Sequence, residues 1–352
     1  METGVKYWFK QKAEQICKKL ENSILSNKSL KCKVVYGPVQ SRRLGTVIGI
    51  NNLKQKACSY NCVYCPLSKG TCCSICSNYC LSPYELHLSV RNKLDELELC
   101  GKNIDYILFA GSGEPTLDSS LSKEIQLLRE FGYKIAVFTN SSLLWDYNIQ
   151  QNLMYADYVS IKIDTANEET WYGMNRPIRK LEFNAMLNGI KEFSKNFGGI
   201  ITTETMLVKN YNDNEEEIEE LSRFLNSMNI QKSYFMTPIY PTRESNAESP
   251  SSERLKELSA LIKEKMNNSI MLCCPENEEF FATQDFENEL LGLLDLHPIK
   301  EEAVNRFVKG NEELRILNQL LENSSIKKIE YNKKYFYSLT DDYRIQLQTI
   351  KS

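Results

Sequence analysis

No stretch of this chain is long and apolar enough to span a bilayer, and no excess of one charge runs through it. Lys and Arg number 43 against 46 Asp and Glu, a formal net charge of -3. The chain therefore lacks the global basic field of a nucleic-acid-coating protein, although a local basic patch stays open. The amino terminus, METGVKYWFKQKAEQ, has no apolar core of a secretory signal. Together these absences point to the cytoplasm and to no membrane association. In a reducing compartment, clustered cysteines serve metal or redox chemistry rather than structural disulfides. The chain holds 12 of them. A hydrophobic share of 42% and a charged share of 25% over 352 residues fit one large soluble domain with a small one, or two medium domains.

Three of the cysteines lie in Ala57-Cys58-Ser59-Tyr60-Asn61-Cys62-Val63-Tyr64-Cys65-Pro66, at spacing C-x3-C-x2-C. A short loop of this kind can turn Cys58, Cys62 and Cys65 toward one point. Thiolates suit iron–sulfur clusters and zinc, which usually take four protein ligands. This loop offers three, which leaves one metal position for a small molecule. A partial zinc site and plain buried thiols are the alternatives. Four more cysteines follow closely: Cys72, Cys73, Cys76 and Cys80. They suit a second Fe–S cluster or a zinc ion, or else a redox-labile loop without metal.

Along the chain, an amphipathic helix is expected over about Lys6 to Leu30. Cys32 to Tyr36 and Thr46 to Ile50 read as strands flanking a turn that carries Arg42 and Arg43. The two arginines are either a solvated pair or a holder for an anionic group. From Ser82 the pattern becomes regular. Helices are expected over Pro83 to Glu98, Ser122 to Phe131, Leu143 to Met154, Leu181 to Phe197, Asn212 to Met228 and Ser251 to Met266. They alternate with strands over Ile104 to Ala110, Lys134 to Phe138, Tyr158 to Ile163, Ile200 to Val208 and Tyr234 to Pro238. Such alternation implies an α/β fold with a parallel sheet, and its order suggests a partial (β/α)6 TIM-like barrel. Polar, Gly-rich and carboxylate-bearing residues recur just after strands, at the end where barrel active sites assemble.

Past Cys273 the pattern changes. Leu290 to Leu296, Ile299 to Lys309 and Asn311 to Leu321 read as short helices. Ile326 to Tyr331 and Lys334 to Leu339 flank Asn332-Lys333 as a hairpin. This reads as a winged-helix module. It either contacts nucleic acid through Lys327, Lys328, Lys333 and Lys334 or serves as an interaction or substrate-delivery module. The expected division is a helical segment over residues 1–33, the barrel over 34–272 and a small C-terminal winged-helix domain over 273–352.

The cysteine loop, together with Gly111-Ser112-Gly113-Glu114-Pro115 one helix later, resembles the radical S-adenosylmethionine (SAM) enzymes. The resemblance implies a [4Fe–4S] cluster on Cys58, Cys62 and Cys65, with SAM on its open iron. It implies reductive cleavage of SAM to a 5′-deoxyadenosyl radical that abstracts hydrogen from a substrate. Tyr64 matches the aromatic position beside the adenine. Gly111, Ser112, Gly113 and Glu114 match the turn that receives the methionine ammonium. Asn140, Ser160 and Asp164 fall where later strand ends meet the carboxylate and ribose. An electron donor of flavodoxin or ferredoxin type is implied as partner.

More narrowly, the run from Tyr36 to Gly45, the cysteine loop, Phe109 to Leu117 and Asn175-Arg176-Pro177 resemble the Fe–S oxidoreductases grouped with wyosine synthases. That likeness implies a tRNA base as substrate, with Arg42, Arg43, Lys162 and Arg176 as candidate contacts. The chain departs from that branch because its extra cysteines follow the SAM loop instead of preceding it. Lys162 is the nearest match to the branch's Schiff-base lysine, a role that needs a desolvated amine. Period-two alternation sets Ser160, Lys162 and Asp164 on one face of their strand. A peptide- or protein-modifying maturase, a glycyl-radical enzyme activator and a non-enzymatic Fe–S redox sensor with a DNA-binding winged helix are the rival readings.

Overall fold

The computed structural model of the protein describes residues 34–53, 57–67, 72–73, 82–242, 247–273 and 285–351. The helix expected over Lys6 to Leu30, and Cys76 and Cys80, lie outside the described residues. Strands β1 (Val35–Ser41) and β2 (Gly45–Ile50) form an antiparallel hairpin. The two-residue strands β3 (Ala57–Cys58) and β4 (Cys72–Cys73) then pair in parallel beside the cysteine loop.

The regular part follows in order. Helix α1 (Pro83–Leu99) leads to β5 (Tyr106–Phe109), and α2 (Leu121–Leu128) leads to β6 (Lys134–Thr139). Helix α3 (Tyr147–Leu153) precedes β7 (Tyr158–Lys162), and α4 (Glu168–Met174) and α5 (Phe183–Asn196) precede β8 (Ile200–Met206). Helix α6 (Glu215–Asn226) leads to β9 (Lys232–Met236), and α7 (Ser252–Lys265) leads to β10 (Ser269–Met271).

The eight-stranded sheet runs β1-β2-β5-β6-β7-β8-β9-β10, and every pairing after the first is parallel. This is the expected α/β architecture, a partial TIM-like barrel. The face under the helices is apolar, whereas the barrel interior carries apolar and polar side chains together. Ile107, Ile135, Val159 and Ile201 face the helices in the main core. Val47, Leu108, Ala136 and Tyr158 form a smaller interior cluster. The expected alternation in β7 is observed: Val159, Ile161 and Ile163 belong to the core, and Ser160 and Lys162 border an internal cavity.

Several boundaries differ from the sequence pattern for local reasons. The helix expected from Leu143 starts at Tyr147, because Asp146 caps it by accepting a bond from Asn148 N at 2.8 Å. Leu143 and Leu144 are buried, but in the turn before it. The sequence pattern left α4 and β10 unassigned. One is two turns long and the other has three residues, too short for periodicity to show.

The remaining elements are α8 (Phe286–Leu294), β11 (Ile299–Lys300), α9 (Glu301–Phe307), α10 (Asn311–Glu322), β12 (Ile326–Tyr331), β13 (Lys334–Leu339) and α11 (Asp341–Lys351). Strands β11, β13 and β12 form a separate antiparallel sheet in that order. The β12–β13 hairpin has the expected bounds. Its turn places Asn332 at φ +50° and Lys333 at φ +61°, the left-handed pair that a two-residue turn requires.

A buried ion pair joins this part to the barrel. Lys93 Nζ of α1 lies 2.7 Å from Glu289 Oε1 of α8, and both side chains are almost wholly buried. Removing one member of such a pair strands the other charge. Lys93→Met is expected to lower unfolding free energy by about 3–5 kcal/mol in urea titrations. The double variant Lys93→Met/Glu289→Met should recover a large part of that loss. A loss in the double variant equal to the sum of the Lys93→Met and Glu289→Met losses would show that the two side chains are not coupled.

Candidate active site

The cysteine loop is gripped from two sides. On one side, Asn61 N donates to Asn175 O at 2.9 Å, and Val63 N to Met174 O at 2.9 Å. Ile178 N returns a bond to Ser59 O at 3.1 Å, and Trp171 Nε1 donates to Tyr60 Oη at 2.9 Å. Helix α4 and the Asn175-Arg176-Pro177 turn therefore mould the loop. Arg176 sits in that turn at φ +48°, its carbonyl accepting from Asn61 N, and its side chain does not border the cavity described below.

On the other side stands the Gly111–Glu114 turn after β5. Glu114 N donates to Ala57 O at 2.9 Å. A Cβ on Gly113 would lie 2.0 Å from that same carbonyl, and one on Gly111 would lie 2.2 Å from Asn51 Oδ1. Gly113 is thus required by the Ala57 backbone, and Gly111 chiefly by the close approach of the Asn51 side chain. Glu114 is buried and accepts from Thr116 Oγ1 at 2.6 Å, Thr139 Oγ1 at 2.7 Å and Asn140 N at 2.6 Å. Its carboxylate ties the end of β5 to the end of β6. Burial pushes its pKa up, and these donors oppose that shift.

Between the two supports opens a cavity of about 380 Å³. Cys58, Cys62 and Cys65 border it, as do Tyr64, the Gly111–Glu114 turn, Asn140 and Ser160. Arg42 and Lys162 also reach it. Arg43 and Asp164 do not border it, and serve it from behind. Arg43 donates to Ser160 Oγ at 3.1 Å, pairs with Glu204 Oε2 at 2.9 Å and lies over the Phe138 ring at 4.2 Å. Asp164 accepts from Tyr64 Oη, from Asn175 Nδ2 at 2.6 Å and from Met206 N at 2.8 Å.

Glu204 of β8 is a residue the sequence reading missed. It lies directly opposite Lys162 in the parallel register, and Lys162 Nζ is 3.1 Å from its Oε1. Its sequence signal was a lone charge inside Thr-rich Ile200 to Met206. Burial alone would raise the Glu204 carboxyl, but Lys162 and Arg43 outweigh it and bring the pKa down to about 2. For Lys162 burial works toward the neutral amine, yet Asp164 and Glu204 prevail and hold its pKa above the ordinary value. The two carboxylates hold the Lys162 ammonium in an ion-paired network at the cavity wall.

The family model of the radical SAM superfamily matches residues 53–225. The chain is 36% identical to the UPF0026 protein MJ1312 of Methanocaldococcus jannaschii over 307 residues, 86% of this chain and 95% of that one. The chain belongs to the radical SAM superfamily. Solved radical SAM structures share its fold. A radical SAM methyltransferase from Sphaerobacter thermophilus superposes with a TM-score of 0.50 at 17% identity, covering 66% of this chain and 67% of that one. SuiB of Streptococcus suis bound to S-adenosylmethionine gives 0.50 at 14% identity, covering 67% and 53%.

The donor set suits the cluster that a radical SAM enzyme carries. Three thiols share one cavity, yet no group of three His, Cys, Asp or Glu among the described residues is close enough to hold a single ion. Ligands of a cubane each bind a different iron and so stand farther apart than ligands of one zinc. Burial, then neighbouring Cys62 and Glu114, push the Cys58 thiol up. Burial, then Asp164, push Cys62 up to about 12. Thiolates here depend on the positive charge of bound metal.

Two side-chain amides address these sulfurs. Asn140 Nδ2 donates to Cys58 Sγ at 3.4 Å, and Asn175 Nδ2 to Cys62 Sγ at 3.5 Å. Hydrogen bonds to cluster sulfurs favour the reduced, more negative state. In an EPR-monitored redox titration of the reconstituted protein, Asn140→Ala should therefore shift the cluster potential to a more negative value. An unchanged potential at full iron content would remove Asn140 from that role.

The ion pairs set a pH dependence. Glu204 titrates lower folded than its ordinary 4.5, so its stabilisation is complete above that pH and fades as pH falls toward about 2. Its size is on the order of 3 kcal/mol. Urea midpoints for Glu204→Gln should fall below wild type at pH 7, with the gap narrowing between pH 4.5 and 2. A gap that stays constant across that window would contradict the assignment.

Proposed function

We propose that this radical SAM enzyme modifies a base of tRNA. Cys58, Cys62 and Cys65 are the residues that would hold a [4Fe–4S] cluster. Tyr64, Gly111, Ser112, Gly113, Asn140 and Ser160 would line the SAM site, with Glu114 and Asp164 bracing it from within. When bound, the two groups supply reductive cleavage of SAM and a 5′-deoxyadenosyl radical. The chain's own residues shape the cavity and place Lys162 and Arg42 on its wall. The observation that carries the reading is the meeting of the three thiols and the Gly111–Glu114 turn in one cavity.

For the base substrate, the support is the likeness of the Tyr36–Gly45 and Asn175–Pro177 runs to the wyosine-related group, plus the lysine-bearing hairpin. This makes the substrate an argument by analogy. The barrel would occupy residues 34–272 and a winged-helix module 273–352. Within the hairpin, Lys327, Lys333 and Lys334 are exposed, and Lys328 is paired with Glu301 at 2.6 Å. That ion pair, with the net charge of -3, favours a polypeptide substrate as the second reading. Arg43, held by Glu204 and Ser160, and Arg176, in the loop-gripping turn, act in this reading as supports rather than substrate contacts.

A second metal site on Cys72, Cys73, Cys76 and Cys80 belongs to the same proposal. Its support is the backbone pairing that lays Cys72-Cys73 alongside Ala57-Cys58. A flavodoxin- or ferredoxin-type donor would deliver the electron, in the cytoplasm. No helix among the described residues is long and apolar enough to cross a membrane.

Reconstituted protein given dithionite and SAM should form 5′-deoxyadenosine, and Cys58→Ala, Cys62→Ala or Cys65→Ala should abolish it. Added bulk tRNA should raise the rate several-fold and yield a nucleoside of altered mass. Formation of 5′-deoxyadenosine without any response to tRNA would reject RNA and leave the polypeptide reading. Iron and sulfide retained in the triple Cys→Ala variant would support the second site, and their loss would argue against a second cluster.

A further inference from the structure

The part of the chain beyond the barrel contributes a wall to the reaction cavity. Leu296 and His297, just past α8, border the same cavity as the three cysteines. Tyr240, from the segment after β9, borders it beside them. The Tyr240 and His297 rings stack with centroids 4.5 Å apart and planes 26° from parallel. Phe336 of β13 packs edge-on against Tyr240 at 6.3 Å.

His297 is held in place by several independent restraints. Arg344 of α11, itself buried, donates to Leu294 O at 3.0 Å and Asp295 O at 3.2 Å. Those carbonyls end α8, where a cation is favoured by the helix dipole. His297 N donates to Leu293 O at 3.3 Å, and Pro298 leads directly into β11. The Lys93–Glu289 pair fixes α8 on the barrel. His297 Nδ1 lies 2.8 Å from Pro298 O, and a carbonyl only accepts, so Nδ1 carries the proton. In the neutral ring Nε2 is then an acceptor.

We propose that Tyr240 and His297 form a substrate subsite for a planar, nucleobase-like heterocycle. The heterocycle stacks on the open face of the aromatic pair. Two observations favour this class. The existing stack offers a flat surface, and Phe138, Met206 and Met236 add polarisable groups to the same cavity. The inference deepens the base-substrate reading above, and its test separates the two.

The test uses the full-length, cluster-reconstituted, unreduced protein with saturating SAM, so that the cofactor's own adenine site is filled. The probe is 2-aminopurine riboside, whose fluorescence falls on stacking. Wild type should quench it saturably. Tyr240→Leu and His297→Ala should bind it roughly fivefold to a hundredfold more weakly, the span set by loss of a stacking partner. Tyr240→Phe, which keeps the ring, should stay close to wild type. Iron content and the thermal midpoint check that each variant is folded. Should His297→Ala fail that check, His297→Phe, which keeps a planar ring, takes its place and should bind closer to wild type than Tyr240→Leu. No saturable quenching by wild type, or equal quenching by Tyr240→Leu and Tyr240→Phe, overturns the subsite. Saturable quenching that depends on these residues, without any response to tRNA, upholds the subsite and overturns only the RNA reading.

Discussion

The buried carboxylate of Asp164 is the constraint on which the site depends. It stands at the end of β7 and receives Tyr64 from the cysteine loop, Asn175 from the turn after α4 and the Met206 amide from β8. Lys162 Nζ lies 3.6 Å away. A buried charge without partners would be costly, so each neighbour is drawn to one position. The cysteine loop has little regular structure of its own. Its shape follows from where Tyr64 and the backbone of Met174 and Asn175 must go to satisfy their partners.

A second polar group occupies the barrel interior. Arg43 and Lys162 share Glu204, and with Asp164 beside Lys162 two cations balance two carboxylates between the apolar Leu44, Val47 and Leu108 cluster and the cavity. Arg43 also fills space, since its guanidinium lies over Phe138 and 5.4 Å from the Tyr234 ring centroid. The turn between β1 and β2 thus places a cation inside the barrel. Arg42 takes a different part, bonding Leu272 O at 2.7 Å while bordering the cavity.

Much of this was legible along the chain because the signals are local. The alternation of apolar strands with amphipathic helices, the capping Ser82 and Pro83 and the Asn332-Lys333 turn all act within a few residues. They identified the barrel and the terminal hairpin. The glycines of the 111–114 turn were also legible, but their reason was not. They make room for Ala57 and Asn51, residues more than fifty positions earlier. Glu204 and His297 were missed because a single polar residue has no periodicity. Only the register of β8 on β7 puts Glu204 against Lys162. Only the docking of α8 brings His297 to the cysteines.

By itself, the amino-acid sequence determined the class of chemistry, because thiol spacing in a short loop and a glycine turn after a strand are properties of contiguous residues. It also determined the parallel α/β architecture, through hydrophobic periodicity. Tertiary structure decided which charged groups face the cavity and which brace it. Lys162 is held as a cation, Arg43 and Asp164 stand behind the wall, and an aromatic pair from distant segments completes that wall. The reason is physical. The state of a buried charge depends on partners within a few ångströms, and those partners come from strands that meet only when the sheet is assembled.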